Sequence, residues 1–408
     1  SQMFRNMAAN KPAIISKVGI GTFVDPDLEG GKVNTVTKED IVNKINVFGE
    51  EVLFYKCPKL DYAILRGTSS DEDGNISFEN EALLLEGIHI ASATKNAGGK
   101  VIVQVEKVVK RGSISPKEVK IPGILVDYVV VVEDIKNHMQ TFDEQYNYGY
   151  INNNALFSDS VISFPLDERK IIARRCAINL RKDSKVLNYG IGMPESIALV
   201  LKEENQNMNF IPTVEPGAVG GIPMGGLSFG ASFNPACILE QPTQFDFYDG
   251  GGLDMAFLGL AQCDQYGNIN VSKFGSKLAG CGGFINITQN AKEVVFCGTF
   301  TAGGLEIAIE NGKLKIIKEG KTKKFIKNVE QITFSAELAK KNEKKVLYIT
   351  ERAVFELRKE GLTLVEIANG IDIEKDILNN MEFKPILAKE IKFMNKEIFL
   401  NKPMGLIF

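Results

Sequence analysis

The stretch LDYAILRGTSSDEDGNIS at 60–77 lies over LDMAFLGLAQCDQYGNIN at 253–270 at a constant offset of 193, without a gap. Leu60-Asp61 falls on Leu253-Asp254, Leu65 on Leu258, Asp71 on Asp264, and Gly74-Asn75-Ile76 on Gly267-Asn268-Ile269. Downstream, KNAGGKVIVQVEKV at 95–108 meets QNAKEVVFCGTF at 289–300 at nearly the same offset. Self-similarity at a fixed spacing decides architecture before any local assignment does. Each copy reads as a short apolar strand, a DxxGN turn, a helical stretch rich in small residues, and a β-branched strand. The chain is therefore expected to fold as two homologous open α/β halves.

The second half opens on a helix, PLDERKIIARRCAINL (165–180), then the strand KVLNY, the glycine turn GIGMP (190–194) and the helix ESIALVLKEE. At the repeat offset, Gly190 corresponds to a position before residue 1, so the first half is expected to lack this unit, with a truncated, processed or split N-terminus. The segment 138–160 is polar, rich in Asn and Tyr, and aperiodic, which suits a linker. The expected organisation is a first half at 1–137, a linker at 138–164 and a second half at 165–408. Asn311-Gly312 between two alternating runs signals a type I′ hairpin, and INVFGEEVLFYKC is a second hairpin with Gly49 and Glu50 at its turn.

With 44% hydrophobic and 24% charged residues and a net charge of −3, the composition is that of a globular protein without a basic stripe. Nothing in it points to nucleic acid or to an anionic membrane surface. No apolar run approaches the roughly 18 residues of a spanning helix and no secretory pattern opens the chain, so a cytoplasmic protein is expected. The six cysteines, Cys57, Cys176, Cys237, Cys263, Cys281 and Cys297, lack CxxC spacing, which predicts reduced, mostly buried thiols and no metal site. The two histidines, His89 in an apolar helical context and His138 in a polar loop, read as structural. Chemistry that relies on a histidine base is accordingly not expected.

Glycine collects in the second half, in GIGMP, EPGAVGGIPMGG, YDGGGLD (248–254) and AGCGGF (279–284). Backbone-exposing loops at strand ends are how an α/β sheet aims N–H groups at a ligand. Each cluster alone is also satisfied by an ordinary turn, but four in one half favour a site. Glu215 follows the strand-like FIPTV and precedes Pro216-Gly217, a carboxylate at a strand end beside a close-approach loop. Met224, Phe229 and the YDGGG loop are candidates for a small pocket or for core.

Across both halves the sequence resembles the class I coenzyme A transferases, in particular the single-chain acetate and propionate type. The resemblance rests on GTFVDPDLEGG, LRGTSSDEDGNI, GGKVIVQVE, LDERKIIARR, EPGAVGGIPMGGLSFGAS, FDFYDGGGLD, LGLAQCDQYGNINVSKFG and FCGTFTAGG, in that order. It implies two related α/β halves of the CoA-transferase or NagB-like type. It also implies a covalent nucleophile at Glu215, in Glu215-Pro216-Gly217 where two-chain relatives tend to have Glu-Asn-Gly. By the same resemblance a CoA-binding turn falls on Gly190, Ile191, Gly192 and Met193, an oxyanion donor pair on Gly282 and Gly283, and the active-site asparagine on Asn270. Complete single-chain members are longer at the N-terminus.

The implied function is transfer of coenzyme A between short-chain acyl-CoA and a carboxylate of the acetate, propionate or butyrate class. The implied route is ping-pong, through an acyl-glutamyl anhydride and a glutamyl-CoA thioester. Such chemistry moves no proton, which fits a histidine-poor chain. Coenzyme A is then a substrate, no cofactor is permanently bound, and the family habit implies a homodimer or homotetramer. Acyl-CoA hydrolysis on the same scaffold and a noncatalytic CoA-binding subunit are the competing readings.

Overall fold

The computed structural model describes residues 2–156 and 164–408, so the end of the expected linker, 157–163, lies outside the described residues. The chain packs as two compact units, neither contiguous in sequence. The first comprises Ser1–Ser16, Ile41–Ser158 and Pro212–Phe247; the second comprises Lys17–Asp40, Asp159–Ile211 and Tyr248–Phe408. These units differ from a linear division into halves by two exchanged segments. Lys17–Asp40 joins the second unit through Phe23 N–H donating to the Ile332 carbonyl (2.8 Å) and Gly19 N–H to Gln289 (2.7 Å). Residues 212–247 join the first through Asn234 N–H donating to the Gly149 carbonyl (2.7 Å) and a Thr141–Ser228 hydroxyl contact (2.9 Å).

In the first unit, helix α1 (Gln2–Ala8) packs on a later helix of a small β–α–β core. That core runs β1 (Tyr62–Arg66), α2 (Gly87–Asn96), β2 (Lys100–Val105) and β3 (Tyr128–Val131). The three strands are parallel in the order β3-β2-β1, with Ile64 beside Ile102 and Ile102 beside Tyr128. Ala63, Val101, Val103 and Val105 on one sheet face pack with Ala91 of α2, Ile76 and Ile121. The segment from His138 to Tyr150 is packed against this unit. His138 is buried between Glu81 (3.1 Å) and Gln104 (3.1 Å), Gln140 donates to the Asn80 carbonyl, and the Tyr150 ring is buried with its hydroxyl on Glu144. The part of the expected linker that the structure describes is therefore mostly folded, because its polar side chains find fixed partners.

The second unit contains α3 (Glu168–Ala177), β4 (Val186–Tyr189), α4 (Ser196–Glu203), β5 (Met255–Gly259), α5 (Phe284–Asn290), β6 (Glu293–Cys297) and β7 (Lys345–Ile349). Strands β4 to β7 are parallel neighbours in that order, and the sheet continues through β8 (Ala353–Arg358), β9 (Gly361–Ile367) and β10 (Ile386–Phe393). Asp167 caps α3, its carboxylate accepting from Lys170 N–H at 3.0 Å, and this fixes the helix start at Glu168, three residues after Pro165. Met255, Ala256 and Phe257 are all fully buried, as a strand covered on both faces requires.

The repeat is structural as well as sequential. β1 and β5 coincide at the repeat offset, as do β2 and β6, and the DxxGN turn is built twice from the same bonds. Asp71 accepts from the N–H groups of Asp73 and Asn75 (both 3.0 Å) and from the Asn75 amide (3.0 Å). Asp264 accepts from Tyr266 N–H (3.0 Å), Asn268 N–H (2.9 Å) and the Asn268 amide (3.0 Å). Even the outer contacts repeat: Asn75 accepts from Gly123 N–H at 2.9 Å and Asn268 from Ala336 N–H at 2.8 Å.

Asn311 and Gly312 adopt φ of 53° and 73° between the strands Glu306–Glu310 and Lys313–Lys318, the expected type I′ hairpin. The other hairpin turns at Phe48-Gly49 (φ 52° and 89°), one residue earlier than expected, because Val47 pairs with Glu50. Of the cysteines, which are all free, three are buried, Cys57 and Cys281 are half-buried, and Cys237 is exposed, against the expectation of mostly buried thiols.

Candidate functional site

Glu215 belongs to the first unit, whereas Gly190–Met193, Asn270 and Gly282–Gly283 belong to the second. The Glu215 turn closes a short hairpin between the strands Ile211–Thr213 and Ala218–Val219, where Thr213 pairs with Val219. Gly217 N–H donates to the Val214 carbonyl (3.0 Å), and Val214 N–H to the Ala218 carbonyl (2.9 Å). A third fastening comes from Leu239, whose N–H donates to the Gly217 carbonyl at 2.8 Å. Val214 is buried and Glu215 half-buried with its Oε2 buried, so the strand end is anchored.

The glycines after Glu215 divide by what surrounds them. A Cβ at Gly217 would lie 2.0 Å from the Leu239 carbonyl oxygen, and one at Gly221 would lie 2.3 Å from the Phe233 carbonyl oxygen. Both positions exist so that two backbones can touch. Gly226 has open space where a side chain would be. Gly230 stands against Pro216, with a would-be Cβ 3.2 Å from its ring and 3.7 Å from Leu83.

Through Gly230 the Glu215 turn adjoins an apolar cavity of about 810 Å³, lined by Phe78, Leu83, Leu85, Phe142, Leu227 and Phe229 among others. Phe229 is thus a cavity residue. Met224 packs instead on the buried cluster of Ala82, Tyr150, Ala231 and Phe233, so of the two it is the core residue. The YDGGG loop lies in the second unit, with Tyr248 and Leu253 fully buried.

In the second unit, α4 and α5 follow β4 and β5, so their N-terminal ends lie at the carboxyl edge of the parallel strands, the edge where open α/β sheets bind ligands. Gly190 N–H is taken up by the Phe257 carbonyl (2.8 Å), and a Cβ there would lie 3.0 Å from Leu258; its part is to seat the turn on β5. Gly192, at φ +88°, has open space around it, and its N–H donates to the Glu195 carboxylate at 2.7 Å. Ile191 is exposed and Met193 half-buried. Gly282 is open as well, and Gly283 is the N-cap of α5, in the turn where backbone N–H groups have no intrahelical acceptor.

Asn270 does not present its amide outward. It is fully buried, its NH₂ donates to Gln262 (2.6 Å) and the Lys273 carbonyl (2.7 Å), and its oxygen accepts from Ser272 N–H (3.0 Å) and Lys273 N–H (3.2 Å). All four hydrogen-bonding positions of the amide are filled by Gln262, Ser272 and Lys273. The histidines are likewise engaged: His138 as described, and His89 on Glu240 at 3.0 Å.

A buried charged group at the carboxyl ends of β6 and β7 has no mark in the sequence. Glu351 accepts from Phe300 N–H (2.9 Å) and from Arg352 (2.6 Å), while Arg352 reaches Glu319 (2.7 Å). Nearby, burial pushes the Lys324 ammonium down to about 8, against the attraction of Glu351. Among the described residues no cluster of His, Cys, Asp and Glu could hold a metal, and no helix is long and apolar enough to cross a membrane.

The chain thus carries two homologous α/β halves, with a glutamate at a glycine-fastened hairpin tip in the first unit and glycine turns at a sheet's carboxyl edge in the second. The chain belongs to the coenzyme A transferase family and is a transferase: the coenzyme A transferase family model matches residues 2–132. It is 49% identical to the caffeate CoA-transferase of Acetobacterium woodii over 99% of this chain and 78% of that protein. It is 45% identical to the acetate CoA-transferase YdiF of Escherichia coli K12, over 100% of this chain and 76% of that protein. The crystal structure of the acyl-CoA transferase YdiF from E. coli O157:H7, a thioester complex with CoA, superposes with a TM-score of 0.92 at 44% identity, covering 100% of this chain and 76% of that one.

Proposed function

We propose that this chain transfers coenzyme A between short-chain acyl-CoA and a carboxylate of the acetate, propionate or butyrate class, by a ping-pong route through a glutamyl-CoA thioester at Glu215. The observation that carries the reading is the Glu215 hairpin, a half-buried glutamate on a turn fastened by Gly217 to both Val214 and Leu239. The relative solved as a thioester complex with CoA supports the same intermediate.

The chemistry follows from the carboxylate. A Glu215 oxygen attacks the acyl carbonyl, the C–S bond breaks, and CoA leaves as thiolate while an acyl-glutamyl anhydride forms. The thiolate then attacks the glutamyl carbonyl, the anhydride C–O bond breaks, and the first carboxylate departs. An incoming carboxylate reverses the sequence. No proton changes hands, so the barrier falls chiefly through donors aimed at each tetrahedral oxyanion, where losing one costs about 10²- to 10³-fold in rate.

In this reading Ile191, Gly192, Met193, Gly282 and Gly283 bind CoA or the oxyanion, while Gly190 and Asn270 hold their loops in shape. Gly192 N–H must exchange its Glu195 partner to take part. The protein acts as a cytoplasmic homodimer or homotetramer with no permanently bound cofactor.

Incubation with acetyl-CoA or butyryl-CoA, then borohydride or hydroxylamine trapping and peptide mapping, tests the proposal. The expected result is modification at Glu215 that disappears in Glu215→Gln, together with loss of exchange by about three orders of magnitude or more. Retained exchange in Glu215→Gln would overturn the assignment.

A further inference from the structure

Every residue that lines the apolar cavity beside the Glu215 turn belongs to the first unit. Its walls come chiefly from 78–87, 139–142 and the 227–231 loop, which follows the Glu215 hairpin in the same exchanged segment. Gly230 is where loop and turn meet: a Cβ there would lie 3.2 Å from Pro216 and 3.7 Å from the cavity residue Leu83. At about 810 Å³ the cavity has the size of a site for a whole small molecule, roughly 300–1,000 Å³, and an acetyl or propionyl group would fill little of it.

The cavity's charges are already spent. Among the described residues Arg66 is the one basic residue that lines it, and its Nε and Nη2 donate to Glu81 (3.0 and 2.6 Å) while Nη1 donates to the Met139 carbonyl. Glu86 adds a second carboxyl to the lining, which burial pushes above its ordinary value. An anion brought in here meets no spare positive charge. The apolar wall, in contrast, is held in place at a conformational cost. Leu85 adopts a left-handed φ of 52°, and Gln241 N–H fastens its carbonyl at 3.0 Å. A branched apolar residue kept in that region points to a side chain needed where it stands. Leu85 is 43% exposed and Leu227 is 64% exposed, apolar surface that a ligand in the cavity buries.

We infer, resting on the Glu215 reading, that this cavity seats the apolar body of the acyl group. Leu85, Leu227 and Phe229 then extend the accepted acids beyond the butyrate class to monocarboxylic ones of about six to nine carbons, linear or ring-bearing, and against dicarboxylic ones. Each methylene drawn from water into the cavity strengthens binding roughly fourfold. A carboxylate at the far end of the chain loses its water and gains no partner.

Primary amides test this without turnover, because they carry the acyl carbonyl and chain but no thiolate leaving group. In calorimetric titration of the chain, affinity is expected to rise about tenfold from butyramide to hexanamide, with 3-phenylpropanamide at least as tight as hexanamide. Adipamic acid, which is hexanamide ending in a second, charged carboxylate, is expected to bind at least about tenfold more weakly than hexanamide. Leu227→Asp, at an exposed position, is expected to abolish the gain from butyramide to hexanamide. Leu85→Asn is expected to abolish it too while melting no lower than the parent, since Asn tolerates the left-handed region. No binding of any amide, equal affinity along the series, adipamic acid as tight as hexanamide, or a gain that survives both substitutions would overturn the inference. The two readings fail separately. A chain-length gain without trapping at Glu215 overturns the nucleophile alone, and trapping at Glu215 without the gain overturns the cavity alone.

Discussion

Gly217 and Leu239 touch backbone to backbone: Leu239 N–H donates to the Gly217 carbonyl at 2.8 Å, and a Cβ on Gly217 would stand 2.0 Å from the Leu239 oxygen. With φ at +127° the position is strained for any other residue. Gly217→Ala is expected to lower stability by about 1–3 kcal/mol. Because the displaced turn carries Glu215, CoA exchange is expected to fall more than the melting shift accounts for. Thermal unfolding and steady-state exchange on the same preparation check both parts, and an active, fully stable variant would show that the contact does not position the carboxylate.

The duplicated turn offers a paired comparison. Asp71→Asn and Asp264→Asn each replace a carboxylate that receives three N–H donors, with an expected cost of about 1–3 kcal/mol apiece. The Asn75 side-chain bond, helped by backbone N–H groups and opposed by burial, holds the Asp71 carboxyl below its ordinary value. A depressed carboxylate stabilises the fold above its unfolded pKa, and the contribution is lost as pH falls through the folded one. Acid unfolding of Asp71→Asn is therefore expected to be shallower below about pH 4 than that of the parent.

Phe48 is fully exposed at the first position of a two-residue turn with φ of 52°. The left-handed region costs an L-residue roughly 1 kcal/mol unless, like Asn, it can bond locally. Phe48→Asn gives the turn the Asn-Gly pair that Asn311-Gly312 already uses. A stability gain of up to roughly 1 kcal/mol is expected by denaturant unfolding, with exchange activity unchanged.

What could be read in advance was local or periodic. The strand KVLNY, the Asp167-capped helix and the Asn311-Gly312 hairpin are specified by neighbours a few residues apart, and the fixed offset carried the two-half architecture. What escaped depends on distant partners. Asn270 looks like a ligand-facing amide until Gln262 and the Lys273 carbonyl are found on it. Phe48 adopts a conformation its own propensity disfavours, which moved a turn by one residue. Segments 17–40 and 212–247 pack with the other half's core through contacts more than a hundred residues apart in some cases, such as Phe23 with Ile332. No local pattern encodes that exchange.

Lys324 is a buried lysine. Burial, opposed by Glu351, lowers its ammonium to about 8, whereas an unfolded lysine titrates near its ordinary value of about 10.4. Between those values the unfolded chain holds a proton that the folded chain has released, so this group makes stability rise with pH, by at most about 1.4 kcal/mol per unit. Buried Cys176 and Cys263, whose thiols burial raises, act in the opposite sense over the same range. The readout is therefore the difference between parent and Lys324→Met, in which the thiol contributions cancel. That difference is expected to be flat below about pH 7 and to shift in favour of the parent from pH 8 to 10. A difference independent of pH across that window would place the lysine charge in contact with water and remove it from the buried Glu351 group.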